Sequence, residues 1–203
     1  LTCKIFHDLM SINKRFSNGI SIEIYTFLKT NIFNQNVHWY EDGPIKKINN
    51  YNVDGIRHNY QKEYYKNRKL KNKNNYVSGI KHGLQKEYFK HGTLKSLCNY
   101  KNNVKVGNEF INNPKGQIKF IKYHKKNICE VKHYIRDKLE SKFQSKNNIL
   151  HGQCFLYSNN NLRKICCYND GLLYGQMYLH NEYGLYEEIN YYANEKNGAY
   201  IKY

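Results

Sequence analysis

Proline is almost missing from this chain, with two residues in 203. Little therefore interrupts a backbone hydrogen-bond ladder, since proline is the residue a central strand cannot hold. No run of 18 apolar residues occurs, which excludes a transmembrane helix. Residues 1–10 carry Lys4 and Asp8 inside their apolar pattern, so a signal peptide is not expected in them. The six cysteines (Cys3, Cys98, Cys129, Cys154, Cys166 and Cys167) include no C-x-x-C pair and no secreted-framework spacing. That usage points to an intracellular, cytoplasmic chain. Cys129-x3-His133 has a ligand-like spacing, but a structural zinc requires a complete set of four ligands. No metal or cofactor is expected. No G-x-S-x-G, P-loop or H-E-x-x-H frame is present either, which argues against an enzyme.

What is present is a repeat. Residues 55–76 and 79–100 align without a gap at an offset of 24, with 12 of 22 positions identical. A fixed period of this length marks a supersecondary unit that buries its apolar face only against neighbouring units. A closing tyrosine recurs at Tyr51, Tyr76, Tyr100, Tyr123, Tyr168 and Tyr191, with Ser145 in the remaining slot. Glycine follows seven residues later at Gly83, Gly107, Gly152, Gly175 and Gly198. Leucine or isoleucine precedes it by six at Ile45, Leu70, Leu94, Leu139 and Leu162, with Ile118 displaced by one.

Each unit suits a β-hairpin. Leu94, Ser96, Cys98 and Tyr100 alternate with Lys95, Leu97 and Asn99, the period of a strand with one better-buried face. Lys90-His91-Gly92-Thr93, Lys101-Asn102-Asn103 and Ser158-Asn159-Asn160-Asn161 read as turns, because Gly and Asn tolerate positive φ. Tyrosine suits a single-layer sheet, offering a large apolar face with a polar tip at half-exposed positions. His58, His82 and His151 return in phase just before or at the unit's glycine, so they serve the turn rather than act as a general base. Glu63 and Glu87 also recur in phase and are expected to pair with lysines across strands.

The frame resembles the MORN family in the variant form of YwqK-like repeat proteins. The residues that carry the likeness are Gly79-Ile-Lys-His-Gly83, Glu87-Tyr88, Gly92-Thr-Leu94 and Tyr100. They return as Leu150-His-Gly152, Tyr157, Leu162, Tyr168 and Gly171-Leu-Leu-Tyr-Gly175. The likeness covers about residues 39–203 and implies scaffolds, dimerisation devices or lipid-headgroup binders with no shared catalytic residue. The expected fold is mainly β, an elongated single-layer antiparallel β-meander of MORN-like hairpins. About seven units fill 37–203, and a small N-terminal helical cap fills 1–36. Gly79, Gly83, Gly152 and Gly175, with Tyr76, Tyr100, Tyr168 and Tyr191, are its structural residues, the tyrosines forming one column.

Acidic residues are scarce, 16 against 33 Lys and Arg, for a net charge of +17. An AT-rich genome, such as that of a large DNA virus or a protist, raises Lys, Asn, Ile and Tyr together. Yet residues 1–150 hold 29 basic and 11 acidic residues while 151–203 hold 4 and 5, and Asn and Tyr stay abundant throughout. A basic face is therefore drawn through Lys62, Lys66, Lys71, Lys86, Lys90 and Lys95. It suits an anionic membrane surface, with nucleic acid ranked behind it.

Residues 1–36 lack the repeat. Leu1, Ile5, Leu9, Ile12 and Phe16 form an amphipathic helical stripe, closed by Ser17-Asn18-Gly19. One reading is a cap over the first sheet edge. The other is a resemblance to the last helix of an F-box, carried by Leu1, Cys3, Lys4, Phe6 and Leu9. It implies contact with a ubiquitin-ligase adaptor through Leu1, Cys3, Phe6 and Leu9, within a substrate-receptor subunit. The final residues Asn197–Tyr203 read as the first strand of a further hairpin, so a homodimer through this C-terminal edge, or a natural continuation, is expected. The function expected first is a non-catalytic scaffold for protein partners.

Overall fold

The computed structural model describes residues 34–203, and every regular element among them is a strand. The first half runs β1 (Asn34–Trp39), β2 (Ile45–Tyr51), β3 (Asn59–Tyr64), β4 (Leu70–Val77), β5 (Ile80–Lys81), β6 (Gly83–Tyr88), β7 (Leu94–Lys101), β8 (Val104–Asn112) and β9 (Ile118–His124). The second half runs β10 (Cys129–Ile135), β11 (Lys138–Lys146), β12 (Ile149–Ser158), β13 (Asn161–Asn169), β14 (Leu172–Leu173), β15 (Gly175–Asn181), β16 (Gly184–Tyr192) and β17 (Glu195–Lys202). They form one open antiparallel sheet in which chain neighbours pair. The two-residue strands β5 and β14 lead into β6 and β15 against the same neighbours, β4 and β13. The expected meander is thus observed. The expected helical cap over 1–36 lies outside the described residues, apart from β1, which begins ahead of the expected boundary at 37.

Local sequence explains the turns. Between units the chain reverses in two residues, both at positive φ, at Ser78–Gly79, Asn102–Asn103, Asn147–Asn148, Asp170–Gly171 and Ala193–Asn194. These are type I′ turns, whose twist matches that of paired strands and which favour Asn, Asp and Gly. Within the early units the hairpin end is longer. Tyr40, Tyr65, Phe89 and Asn113 each donate a backbone N–H to the carbonyl four residues on, at 2.8–2.9 Å. Adjacent hairpin ends are bonded together: the Tyr40 hydroxyl donates to the Tyr64 carbonyl at 2.8 Å, and the Tyr65 hydroxyl to the Tyr88 carbonyl at 2.9 Å. Later hairpins close more tightly, through Arg136–Asp137 and Asn159–Asn160.

The glycine and tyrosine slots face one another across each hairpin. Gly83 pairs with Tyr100, Gly152 with Tyr168 and Gly175 with Tyr191. All three glycines have positive φ, which bends the entering strand. Asn59, at φ 62°, takes the glycine slot opposite Tyr76. One marker needs correction. Gly107 pairs with His124, not Tyr123, and Tyr123 points to solvent. The slip arose because tyrosine and histidine are adjacent there. With His124 in the slot, Ile118 falls six residues before it and is no longer displaced.

Alternation sends two ladders of side chains to opposite faces. The inner, better-buried ladder holds Asn49, Gln61, Gln85, Cys98, Glu109, Val131, Cys154, Cys166, Met177 and Ile189, all buried. Its character changes along the sheet. In the first units the buried amides of Gln61 and Gln85 replace missing ladder bonds. Each accepts from the backbone N–H and donates to the carbonyl of one residue on the preceding strand, Asn50 at 3.1 and 2.7 Å, and Asn75 at 3.2 and 3.0 Å. The last units are apolar: Cys154, Cys166, Met177 and Ile189 form a core with Phe143, Tyr168, Leu173, Leu179 and Tyr191. The tyrosine slots lie on this same face, with Tyr76 buried and Tyr100, Tyr168 and Tyr191 half-buried.

Candidate functional site

The outer ladder carries a row that no single strand reveals. Ile48 faces Lys62, Lys62 faces Lys73, and Lys73 faces Lys86. The row continues through Leu97, Phe110 and Ile121, then Lys132 and Lys142, then Phe155, Ile165 and Tyr178. Blocks of lysine thus alternate with apolar blocks, each step about 4.8 Å, the spacing of neighbouring strands. Like charges directly opposite are unfavourable in a sheet. The ion pairs of the described region engage Lys66, Lys71, Lys95, Lys105 and Lys125, and among the described residues none reaches Lys62, Lys73 or Lys86. Lys73 instead lies over the Tyr60 ring, 3.8 Å from its centroid.

The six lysines drawn from the sequence divide on the sheet. Lys62 and Lys86 share the outer row. Lys71 and Lys95 bond to Glu63 and Glu87 at 2.9 and 2.7 Å, the cross-strand pairing expected of those glutamates. Burial would raise the Glu63 carboxyl, but its bonds to Lys71 and Asn72 hold it below the ordinary carboxylate range. Lys66, near Asp42, and Lys90 sit at the exposed hairpin ends. Sequence reasoning missed Lys73, because only the register places it between the other two. Leu1, Cys3, Phe6 and Leu9 lie outside the described residues.

On the inner face, where amides give way to apolar side chains, one charged cluster is buried. Cys98 faces Glu109 across β7 and β8, and His124 reaches the same carboxylate from β9. Glu109 is bonded through Oε1 to Lys105 at 2.5 Å and through Oε2 to His124 Nε2 at 2.8 Å. Burial alone would raise its pKa, but these two partners outweigh burial and hold the carboxyl below its ordinary range. The Cys98 thiol is pushed up to about 11, first by burial and then by the Glu109 charge. Beside the cluster a polar cavity of about 320 Å³ is lined by Asn74, Gln85, Cys98, Tyr100, Lys105 and Glu109.

The spacing Cys129-x3-His133 does not form a site. Four residues along a strand separate the two by about 13 Å, and His133 stacks on Phe120 with ring centroids 4.6 Å apart. His58 and His151 accept backbone N–H groups of Ser78 and Asp170 in the adjoining turns, in keeping with a turn role.

No family model matches the chain, and no curated protein matches it.

Proposed function

We propose that the chain is a non-catalytic, MORN-like repeat scaffold that docks a protein partner across the outer row. The observation behind this reading is the lysine block Lys62–Lys73–Lys86 set directly beside the apolar block Leu97–Phe110–Ile121. An unfavourable like-charge row kept on a half-buried face is the kind of local conflict that concentrates at functional surfaces. A partner segment with acidic side chains followed by apolar ones, lying across the strands, would neutralise the first block and cover the second. Cross-linking in cells, read residue by residue, tests it. Partner cross-links should gather at Lys62, Lys73 and Lys86 and disappear in Lys73→Glu. Cross-links spread equally over Lys66 and Lys90 would overturn the reading.

A second reading is peripheral attachment to anionic lipid, which the same three lysines favour. Sedimentation with vesicles containing phosphatidylserine separates the two readings. Lipid attachment requires salt-sensitive binding that Lys73→Glu weakens, whereas a protein-only surface leaves the vesicles unbound.

A further inference from the structure

We propose that Cys98, Glu109 and His124 form a binding site for a divalent transition metal of borderline softness, for which zinc is the best chemical match. Their donor atoms (one sulfur, one carboxylate oxygen and one imidazole nitrogen) all lie within 4.8 Å of one another. Zinc bonds of about 2.0 Å to N and O and 2.3 Å to S place tetrahedral donors about 3.3–3.7 Å apart. Closing on the metal therefore asks for shifts of about an ångström in these donor atoms.

The fold brings the three together from three successive strands. Cys98 and Glu109 occupy facing positions of the inner ladder, and His124 fills the slot opposite Gly107. That slot holds tyrosine at Tyr76, Tyr100, Tyr168 and Tyr191, and the position of Glu109 holds Gln61, Gln85, Val131, Cys154 or Met177 in other units. One unit thus replaces the structural residues of the repeat with ligating ones at two points that touch. Mixed S, N and O donors select zinc or cobalt over calcium or magnesium, which take oxygen alone.

The arrangement also supplies an outer shell. The metal enters between Glu109 Oε2 and His124 Nε2, now 2.8 Å apart, while Lys105 keeps Oε1. Lys105 is then a positioning residue that orients the carboxylate. Binding breaks the Cys98 S–H bond and forms a metal–sulfur bond, releasing one proton to solvent. Glu109 enters already ionised, and the metal displaces the Nε2 proton that His124 donates to Glu109, so that the neutral ring binds through Nε2 with its proton on Nδ1. The burial that makes Cys98 a poor nucleophile leaves it suited to this role, because a bound cation reverses the cost of the thiolate. The adjoining polar cavity gives a water molecule or a small ligand access to a fourth position.

The test is titration of the full reduced chain with cobalt(II), followed by competition with zinc. The expected result is one equivalent bound, with tetrahedral visible bands and a sulfur-to-cobalt charge-transfer band, both lost on adding zinc. Cys98→Ser should remove the charge-transfer band and weaken binding by about tenfold or more, and His124→Gln should weaken it comparably. Cys167→Ser, at a half-buried cysteine outside the cluster, should change neither. Circular dichroism of each variant establishes that it is folded, and a zinc-dependent rise in the unfolding temperature of the unaltered chain gives a readout free of substitutions. The absence of saturable cobalt binding would overturn the proposal, as would a charge-transfer band that survives Cys98→Ser.

Discussion

Gly83 lies directly opposite Tyr100 in the β6–β7 hairpin, and the glycine sits at a φ of 76°. The tyrosine covers a position where its partner has no side chain, so the bend and its cover are one device. Tyr100→Ala should therefore destabilise the chain by about 1–3 kcal/mol, below the range for a fully buried aromatic because Tyr100 is half-buried. Gly83→Ala should cost about 1–2 kcal/mol through its left-handed backbone, and its added Cβ would come within 3.0 Å of Asn75 Nδ2. Denaturant titration measures both. A change under about half a kcal/mol for either would show that the pair is not structural.

The change of the inner ladder from polar to apolar predicts that opposite substitutions at its two ends both destabilise the chain. Gln85→Met removes the bonds to the Asn75 N–H and carbonyl and leaves that half-buried N–H unpaired, while the carbonyl keeps the His82 N–H at 3.1 Å, for a loss of about 1–3 kcal/mol. Met177→Gln places an amide in the core of Cys154, Cys166 and Ile189, for a loss of similar size. If register alone set the ladder and its chemistry did not matter, both substitutions would be tolerated. Thermal unfolding of the two variants decides.

Glu109 gives the fold a defined acid sensitivity. Its folded pKa lies below its ordinary value of 4.5, so it contributes stability that is fully present above that value and is lost as pH falls through the lower, folded one. Urea titrations between about pH 6 and pH 3 should show a decline that is shallower in Glu109→Gln. That variant should also be less stable at neutral pH, because Lys105 and His124 lose their charged partner. Parallel pH profiles for the two chains would remove Glu109 from the account.

Period and turn chemistry were readable in the sequence because they are local. Asn102–Asn103 and Asn159–Asn160 name their own turns, and the offset of 24 names the unit. Register was less legible. Most units bend at the glycine slot; Asn59 keeps the left-handed backbone without a glycine, and Cys129 has neither, so in both the marker disappears from the sequence. The Tyr123 assignment failed because His124 beside it takes the slot opposite Gly107, and one residue of slip exchanges the two faces. Both candidate sites depend on that register. Lys73 lies between Lys62 and Lys86, and His124 joins Cys98 and Glu109, only once the strands are aligned.

The lysine row predicts a conflict between stability and binding. Lys73 faces Lys62 on one side and Lys86 on the other, and lies over the Tyr60 ring. Lys73→Glu turns two repulsive pairs into attractive ones, so at low salt it should stabilise the chain by about 0.3–1 kcal/mol. The gain should shrink as salt rises, because charges on a half-exposed face are screened. The same substitution should abolish docking at the outer row. Lys66→Glu, at a hairpin end outside the row, should leave docking unchanged. Unfolding at low and high salt, measured beside binding, separates a row kept for a partner from one that merely follows composition. If Lys73→Glu is more stable and binds as before, the row has no docking role; if it is more stable and no longer binds, the row is retained for binding at the expense of stability.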